Sequence, residues 1–149
     1  MSSSQAELLE NWKVKVRRAQ MAHYAAANRC ERRHLYLGVP VVILSAVTGA
    51  LVFADLSKLF DWVTWAVGFA SITISILAGL QTFLKLAERA EQHRVAAGRF
   101  GNLKRKLDAV IVSSPPSMEE IINDIREEWN AITTESPMAV SSLWERESR

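Results

Sequence analysis

Two uncharged stretches decide how this chain can fold: LYLGVPVVILSAVTGALVFA at residues 35–54 and WVTWAVGFASITISILAGLQTFL at residues 62–84. They are 20 and 23 residues long, and neither contains Asp, Glu, Lys, Arg or His. A helix needs about 20 apolar residues to cross the roughly 30 Å hydrocarbon core of a bilayer. Each stretch is therefore long enough to span a membrane, which argues against an ordinary soluble enzyme.

The charges around the two stretches predict their orientation. Residues 1–34 carry 7 basic and 3 acidic side chains, and residues 85–106 carry 7 and 2. The connection at 54–61 carries 1 and 2. Because basic flanks stay on the cytoplasmic side of a membrane, we expect both termini to be cytoplasmic. The first stretch begins too late in the chain to be a secretory signal peptide.

Apolar spacing predicts long helices outside the spans as well. One face of a helix over residues 5–34 carries Leu8, Leu9, Trp12, Val16, Ala19, His23, Ala26, Ala27 and Cys30. Pro40 should kink this helix where it enters the membrane. After the second span, Leu86, His93, Phe100 and Leu107 recur every seventh residue. We therefore expect the second span to continue without a break into a stalk over residues 85–112.

The last part of the chain predicts a separate amphipathic helix at 117–133. Ser117 with Glu120 has the spacing of a capping box. An apolar seam follows, made of Met118, Ile121, Ile122, Ile125, Trp129 and Ile132. Residues 107–149 carry 9 acidic and 3 basic side chains, so this helix should fold back on the basic stalk. Residues 134–149 are predicted to be a weakly structured tail with Trp144 as an anchor.

These elements predict an all-α membrane protein built as a long antiparallel helical hairpin. Its parts are a cytoplasmic helix (5–34), a first span (35–54), a periplasmic link (55–61), a second span (62–84), a cytoplasmic stalk (85–112), a C-terminal helix (117–133) and a tail (134–149). We expect residues 1–149 to form a single domain.

Several stretches resemble the SLATT family of bacterial two-helix membrane effectors. They are LLENW near the start, AHYAAANRCERRHLYLGVPVVILSAVTGALVF through the first span, ILAGLQTFLKLAERAEQHRVAAGRFGNLKRKLD through the second span and stalk, and EEWNAITTESP later. The resemblance covers nearly the whole chain. It implies pore formation or membrane disruption in antiviral defence, in the bacterial inner membrane, beside a nucleotidyltransferase or nucleotide-sensing partner. We recognise no sensor or enzyme domain in these 149 residues, so control is expected from such a partner.

Small and hydroxyl-bearing residues in the spans are the candidates for pore lining or for close helix packing. They are Ser45 and Gly49 in the first span, and Thr64, Gly68, Ser71, Ser75, Gly79 and Thr82 in the second. The second set lies within about 60° of one axis at 100° per residue. Small residues let helices approach closely in lipid, so both interpretations stay open. Gln81, off this stripe, is the candidate for a polar pore mouth. A charged selectivity ring is excluded because neither span carries a charge.

Basic residues on either side of the spans are the candidates for a ligand site. They are Arg29, Arg32, Arg33 and His34 before the first span, and Lys85, Arg89, His93, Arg94 and Arg99 after the second. One interpretation is a topology signal that contacts lipid headgroups, with Glu31, Glu88 and Glu91 as salt-bridge partners. The other is an anion site for a nucleotide or a short single-stranded nucleic acid.

The composition gives little support for a metal site or for a redox-active pair of cysteines. One cysteine, Cys30, allows no intrachain disulfide or CxxC site, and three scattered histidines make a zinc site a poor interpretation. We expect His23 and His93 to be packed, hydrogen-bonded side chains rather than ligands, and either can confer pH sensitivity.

The main functional hypothesis is a homo-oligomeric pore-forming effector of antiphage defence, without a cofactor. A chain with two spans cannot enclose a water path alone, so the hypothesis requires an oligomer. The alternative is a non-conducting membrane adaptor that recruits a soluble partner through its stalk. An enzyme is a third and weaker class, because the sequence shows no nucleophile–base pair, metal cluster or phosphate-binding loop.

Overall fold

A computed structural model of the chain describes residues 3–54, 61–113, 115 and 117–138. These residues form four α-helices: α1 (Ser3–Phe53), α2 (Asp61–Leu84), α3 (Leu86–Ser113) and α4 (Met118–Glu135). The all-α prediction is confirmed. Most of the predicted link at 55–61, and most of the predicted tail with Trp144, lie outside the described residues.

The chain divides into two compact units. One comprises Met1–Arg29 with Arg89–Arg149, and the other comprises Cys30–Glu88. Two helical stretches, in Ser4–Phe53 and in Trp62–Ser113, are long and apolar enough to cross a membrane. Their most apolar windows are almost entirely unburied within the protein, as expected for helices that face lipid or further protein.

The core of the first unit is a three-helix bundle made by the first part of α1, α3 and α4. Its buried side chains are Leu9 and Val16 from α1, Phe100, Leu103, Leu107 and Val110 from α3, and Met118, Ile122, Ile125 and Ile132 from α4. The predicted seven-residue repeat on the stalk is buried along its length, and so is most of the seam on α4. Leu8 is an exception to the predicted α1 face, because it is exposed.

The predicted return of α4 onto the basic stalk is confirmed by ion pairs as well as by packing. The ammonium group of Lys106 lies 2.7 Å from the Asp124 carboxylate and 2.8 Å from that of Glu128. These two hydrogen bonds raise the pKa of Lys106 above its ordinary value. Arg99 on α3 pairs with Glu135 on α4. These ion pairs are partly exposed and add little stability, while burial of the apolar seam provides the driving force.

The ring of Trp129 connects α4 to α1, in addition to the packing of α4 on α3. Trp12 and Trp129 meet edge to face, with ring centroids 5.8 Å apart, a geometry that aromatic pairs favour. The Arg126 guanidinium lies 5.8 Å from the Trp12 ring centroid. Sequence analysis predicted α4 against the stalk alone, so the contact with α1 is an addition.

Two local predictions are wrong. The second span and the stalk are not one continuous helix, because Lys85 separates α2 from α3 and has a φ of 46°. A left-handed conformation costs a non-glycine residue about 1–2 kcal/mol, and no Gly or Pro marks the position in the sequence. The Ser117–Glu120 capping box is also absent, because the Ser117 side chain makes no capping hydrogen bond.

Candidate functional site

The stripe of small and hydroxyl-bearing residues on α2 is an open surface of the chain. Thr64, Gly68, Ser71, Ser75, Gly79 and Thr82 are all exposed. A β-carbon added at Gly68 or Gly79 would meet no atom within 4 Å. The stripe is therefore not the surface through which α2 packs on α1. What covers it in a membrane is lipid, water or another copy of the protein.

The hydroxyl groups of this stripe bond within their own helix. Ser71 Oγ donates to the Val67 carbonyl at 2.8 Å, Ser75 Oγ to the Ser71 carbonyl at 2.9 Å, and Thr82 Oγ1 to the Ala78 carbonyl at 3.1 Å. Each hydroxyl oxygen keeps lone pairs that can accept a further hydrogen bond. The stripe thus presents weakly polar acceptors without a charge.

The two candidates on the first span are also open. Ser45 is exposed and Gly49 is half-buried. A β-carbon at Gly49 would meet nothing within 4 Å. Both spans therefore offer small residues on surfaces that the chain itself does not cover.

Gln81 differs from the other polar residues of the spans because its amide nitrogen is enclosed. Its Nε2 lies 3.4 Å from the position of a β-carbon built on Gly38. The nitrogen is buried and has no hydrogen-bond partner among the described residues. The contact joins the end of α2 to the beginning of the first apolar stretch, as expected for antiparallel spans. An amide donor without an acceptor is costly in an apolar environment.

The predicted basic positions are divided between the two units. Arg29, Arg89, His93, Arg94 and Arg99 belong to the first unit, and Arg32, Arg33, His34 and Lys85 to the second. Lys85 lies 3.4 Å from Glu88, and Arg94 lies 3.2 Å from Glu91. Two of the predicted local salt bridges therefore form.

Arg29 and the basic part of α3 lie near each other within the first unit. The Arg29 Nε donates to the Ala25 carbonyl at 3.3 Å, which holds the guanidinium along α1. Its charge acts on His93 and contributes to the lowered pKa of that imidazole. Arg89 and Arg94 flank His93 on α3 and are exposed. The charge of Arg29 therefore acts at His93, beside which Arg89 and Arg94 lie in the sequence of α3.

His23 and His93 form a buried pair inside the three-helix bundle. Their Nδ1 atoms are 3.1 Å apart, so one imidazole donates a hydrogen bond and the other accepts it. The His23 ring also stacks on Phe100, with centroids 5.4 Å apart. The apolar spacing placed each histidine on a buried face but did not predict that the two rings pair. The pairing depends on the register between α1 and α3, which neither helix determines alone.

Acid should destabilise the bundle through this pair. Burial lowers the pKa of both imidazoles below the ordinary 6.5, and the charges of His93 and Arg29 lower the pKa of His23 and His93 respectively. The unfolded chain therefore binds more protons, so stability falls as the pH drops below 6.5. Urea unfolding at pH 7.5 and pH 5.5 should show the lower free energy of unfolding at pH 5.5.

Two variants make this measurement specific. The double variant His23→Gln, His93→Gln should lose much of the pH dependence, while His34→Gln should keep it. Equal pH dependence in all three proteins would show that other groups titrate.

Metal binding is not supported by the described part of the chain, where no cluster of three or more His, Cys, Asp or Glu side chains is placed to hold a metal ion. Cys30 is a free, half-buried cysteine.

Comparison with known proteins identifies a family for this chain. The model of the SMODS and SLOG-associating 2TM effector domain family 4 matches residues 9–138, which include both apolar helices and α4. This confirms the resemblance drawn from the sequence. No curated protein and no solved structure matches the chain.

Proposed function

The chain belongs to the SMODS and SLOG-associating 2TM effector domain family 4, and from this membership we propose that it is a pore-forming effector of antiphage defence. The family describes a membrane effector of conflict systems. The proposal adds that several copies assemble in the inner membrane, with both termini cytoplasmic, and that the assembly conducts ions.

The observation that carries the proposal is the open stripe on α2. A lipid-facing helix gains nothing from a row of glycines and hydroxyls, whereas a helix that packs closely on a second copy does. The same weakly polar surface suits the wall of a water-filled path. Since neither span holds a charge, such a path should discriminate weakly between ions.

Membrane potential in cells tests the proposal. Expression of the chain, alone or with its operon neighbours during phage infection, should depolarise the membrane, which a potential-sensitive dye reports. Purified protein in vesicles should also release potassium. A chain that does neither, and instead co-purifies with a soluble partner through α3 and α4, would be the membrane adaptor.

Control of the pore is proposed to come from a nucleotide or short oligonucleotide made by a nucleotidyltransferase partner. The name of the family links it to SMODS and SLOG partners. We place the phosphate contacts on Arg29, Arg89 and Arg94 of the first unit, because the planar guanidinium binds phosphate oxygens in pairs. A ligand gates a pore only if it binds the open and closed forms with different affinity. The proposal holds whether the ligand favours the open form or the closed form.

Reversing the charge of these arginines distinguishes a role in ligand control from a role in membrane topology alone. The variant Arg29→Glu, Arg89→Glu should fold and insert but should lose its response to the partner enzyme. Bound nucleotide in the purified protein, measured by mass spectrometry, should fall by about tenfold or more. Arg17→Glu, on an exposed part of α1 in the same unit, should leave the response intact. An unchanged response in the double variant would contradict the proposed contacts.

A further inference from the structure

Two adjoining grooves run along α1 where the first apolar stretch begins. One has a volume of about 430 Å³ and is lined by Arg32, Leu35, Tyr36, Val39 and Pro40. The other, of about 420 Å³, also contains Leu35 and Val39. Both lie within the Cys30–Glu88 unit. The walls are mostly apolar, so a ligand that fills them must be largely apolar too.

Each groove has, among its polar side chains, one group on which the inference rests: Arg32 in the first and Gln81 in the second. Arg32 is exposed and makes no ion pair with any described residue. The second groove contains the enclosed Gln81 amide, whose Nε2 lacks an acceptor in the described part of the chain. The guanidinium group of Arg32 would bind an anion. The amide N–H of Gln81 would donate a hydrogen bond to a neutral or charged oxygen.

The two polar groups lie at different depths along the span. Gly38, which Gln81 faces, follows Arg32 by six residues, or about 9 Å along a helix. The side chain of an arginine near the end of a span extends toward the interface, so Arg32 lies at headgroup level. Gln81 then lies below it, among the ester groups and the first methylenes of the lipid.

We infer that these two grooves bind one diacyl phospholipid with an anionic headgroup. The Arg32 guanidinium binds the phosphate, the Gln81 amide donates to an ester carbonyl oxygen, and one acyl chain occupies each groove. Leu35 and Val39, shared by both grooves, lie between the two chains. The guanidinium of Arg32, with no acidic residue in either groove, favours a net negative headgroup.

A free nucleotide fits these grooves less well, because it has no alkyl chains to cover their aliphatic walls. This lipid site does not depend on the proposed pore, and an adaptor anchored in the same membrane would bind the same lipid.

Lipid titration of the delipidated full chain in detergent tests the inference. Native mass spectrometry should show saturable binding of one phosphatidylglycerol per chain, tighter than binding of phosphatidylcholine with the same acyl chains. Arg32→Gln should weaken phosphatidylglycerol binding by about tenfold, and Gln81→Leu by about fivefold. The matched control Arg33→Gln removes the adjacent charge, which lines neither groove, and should change binding by less than about twofold.

Several outcomes would overturn the site. If Arg32→Gln and Arg33→Gln lose equal affinity for phosphatidylglycerol, the binding is diffuse charge attraction and not a site. If Gln81→Leu binds the lipid as the parent protein does, the proposed hydrogen bond to the ester carbonyl is wrong. Competition by inorganic phosphate would assign Arg32 to a free anion. Arg32→Lys, which keeps the charge but not the planar fork, should bind with intermediate affinity and controls for misfolding of Arg32→Gln. Circular dichroism should show the same helix content in every variant.

Discussion

Replacing Ile125 by alanine is expected to lower the free energy of unfolding of the three-helix bundle by about 3 kcal/mol. Ile125 is fully buried and lies in the same cluster as Leu9 on α1 and Leu107 on α3. The truncation removes apolar contacts and leaves a cavity among three helices that ion pairs and rings hold in place. Trp129 is only partly buried, so Ile125 is the more sensitive position of α4.

Pulse proteolysis across a urea series measures this change, because it reports unfolding of the bundle in the full chain. Asn123→Ala, an exposed substitution on the same helix, should remain within about 0.5 kcal/mol of the parent protein. A loss below 1 kcal/mol for Ile125→Ala would mean that α4 is loosely attached and that its packing on α1 and α3 is not what holds the bundle together.

Substitution of Ser71 by leucine is expected to break the assembly that the proposed pore requires. Ser71 is exposed at the middle of the open stripe, and its neighbours Gly68 and Ser75 are small. A leucine there would push a second helix away from the surface and would also remove a hydroxyl from the wall of a water path. Oligomer mass in detergent and potassium flux from vesicles should both fall, the flux by more than about tenfold.

Thr73→Leu is the matched control for Ser71→Leu. Thr73 is exposed and its hydroxyl donates to the Phe69 carbonyl at 2.9 Å, as Ser71 Oγ does to Val67. At 100° per residue it lies on the opposite side of α2, so leucine at this position should leave mass and flux unchanged. If Ser71→Leu keeps both, the stripe is neither a packing surface nor a pore wall.

Sequence reasoning predicted the elements that follow from periodicity. The repeat of Leu86, His93, Phe100 and Leu107 and the apolar seam of α4 required these surfaces to be buried, because each helix has only one apolar side. The uncharged length of the two stretches predicted helices long and apolar enough to cross a membrane, which the structure has. Each of these features depends on the residues of one helix alone, so it can be recognised from a single sequence.

Features that depend on how helices meet could not be predicted in this way. The His23–His93 hydrogen bond needs the relative register of α1 and α3, and the enclosed Gln81 nitrogen needs the register of the two spans. Lys85 was missed for another reason, since lysine is an ordinary helix former. The left-handed conformation at Lys85 has no compositional signal, and surrounding tertiary structure must stabilise it.

The break at Lys85 has a mechanical consequence. In an uninterrupted α-helix, successive hydrogen bonds resist twisting, so rotation at one end is carried to the other. α1 is one helix over 51 residues, although Pro40 inside it lacks a backbone N–H and so removes one of these hydrogen bonds. At Lys85, between α2 and α3, the φ of 46° lies outside the range of a right-handed helix. Twist is therefore transmitted less stiffly through Lys85 than through the interior of either helix, so Lys85 is the position between α2 and α3 at which backbone rotation meets the least resistance.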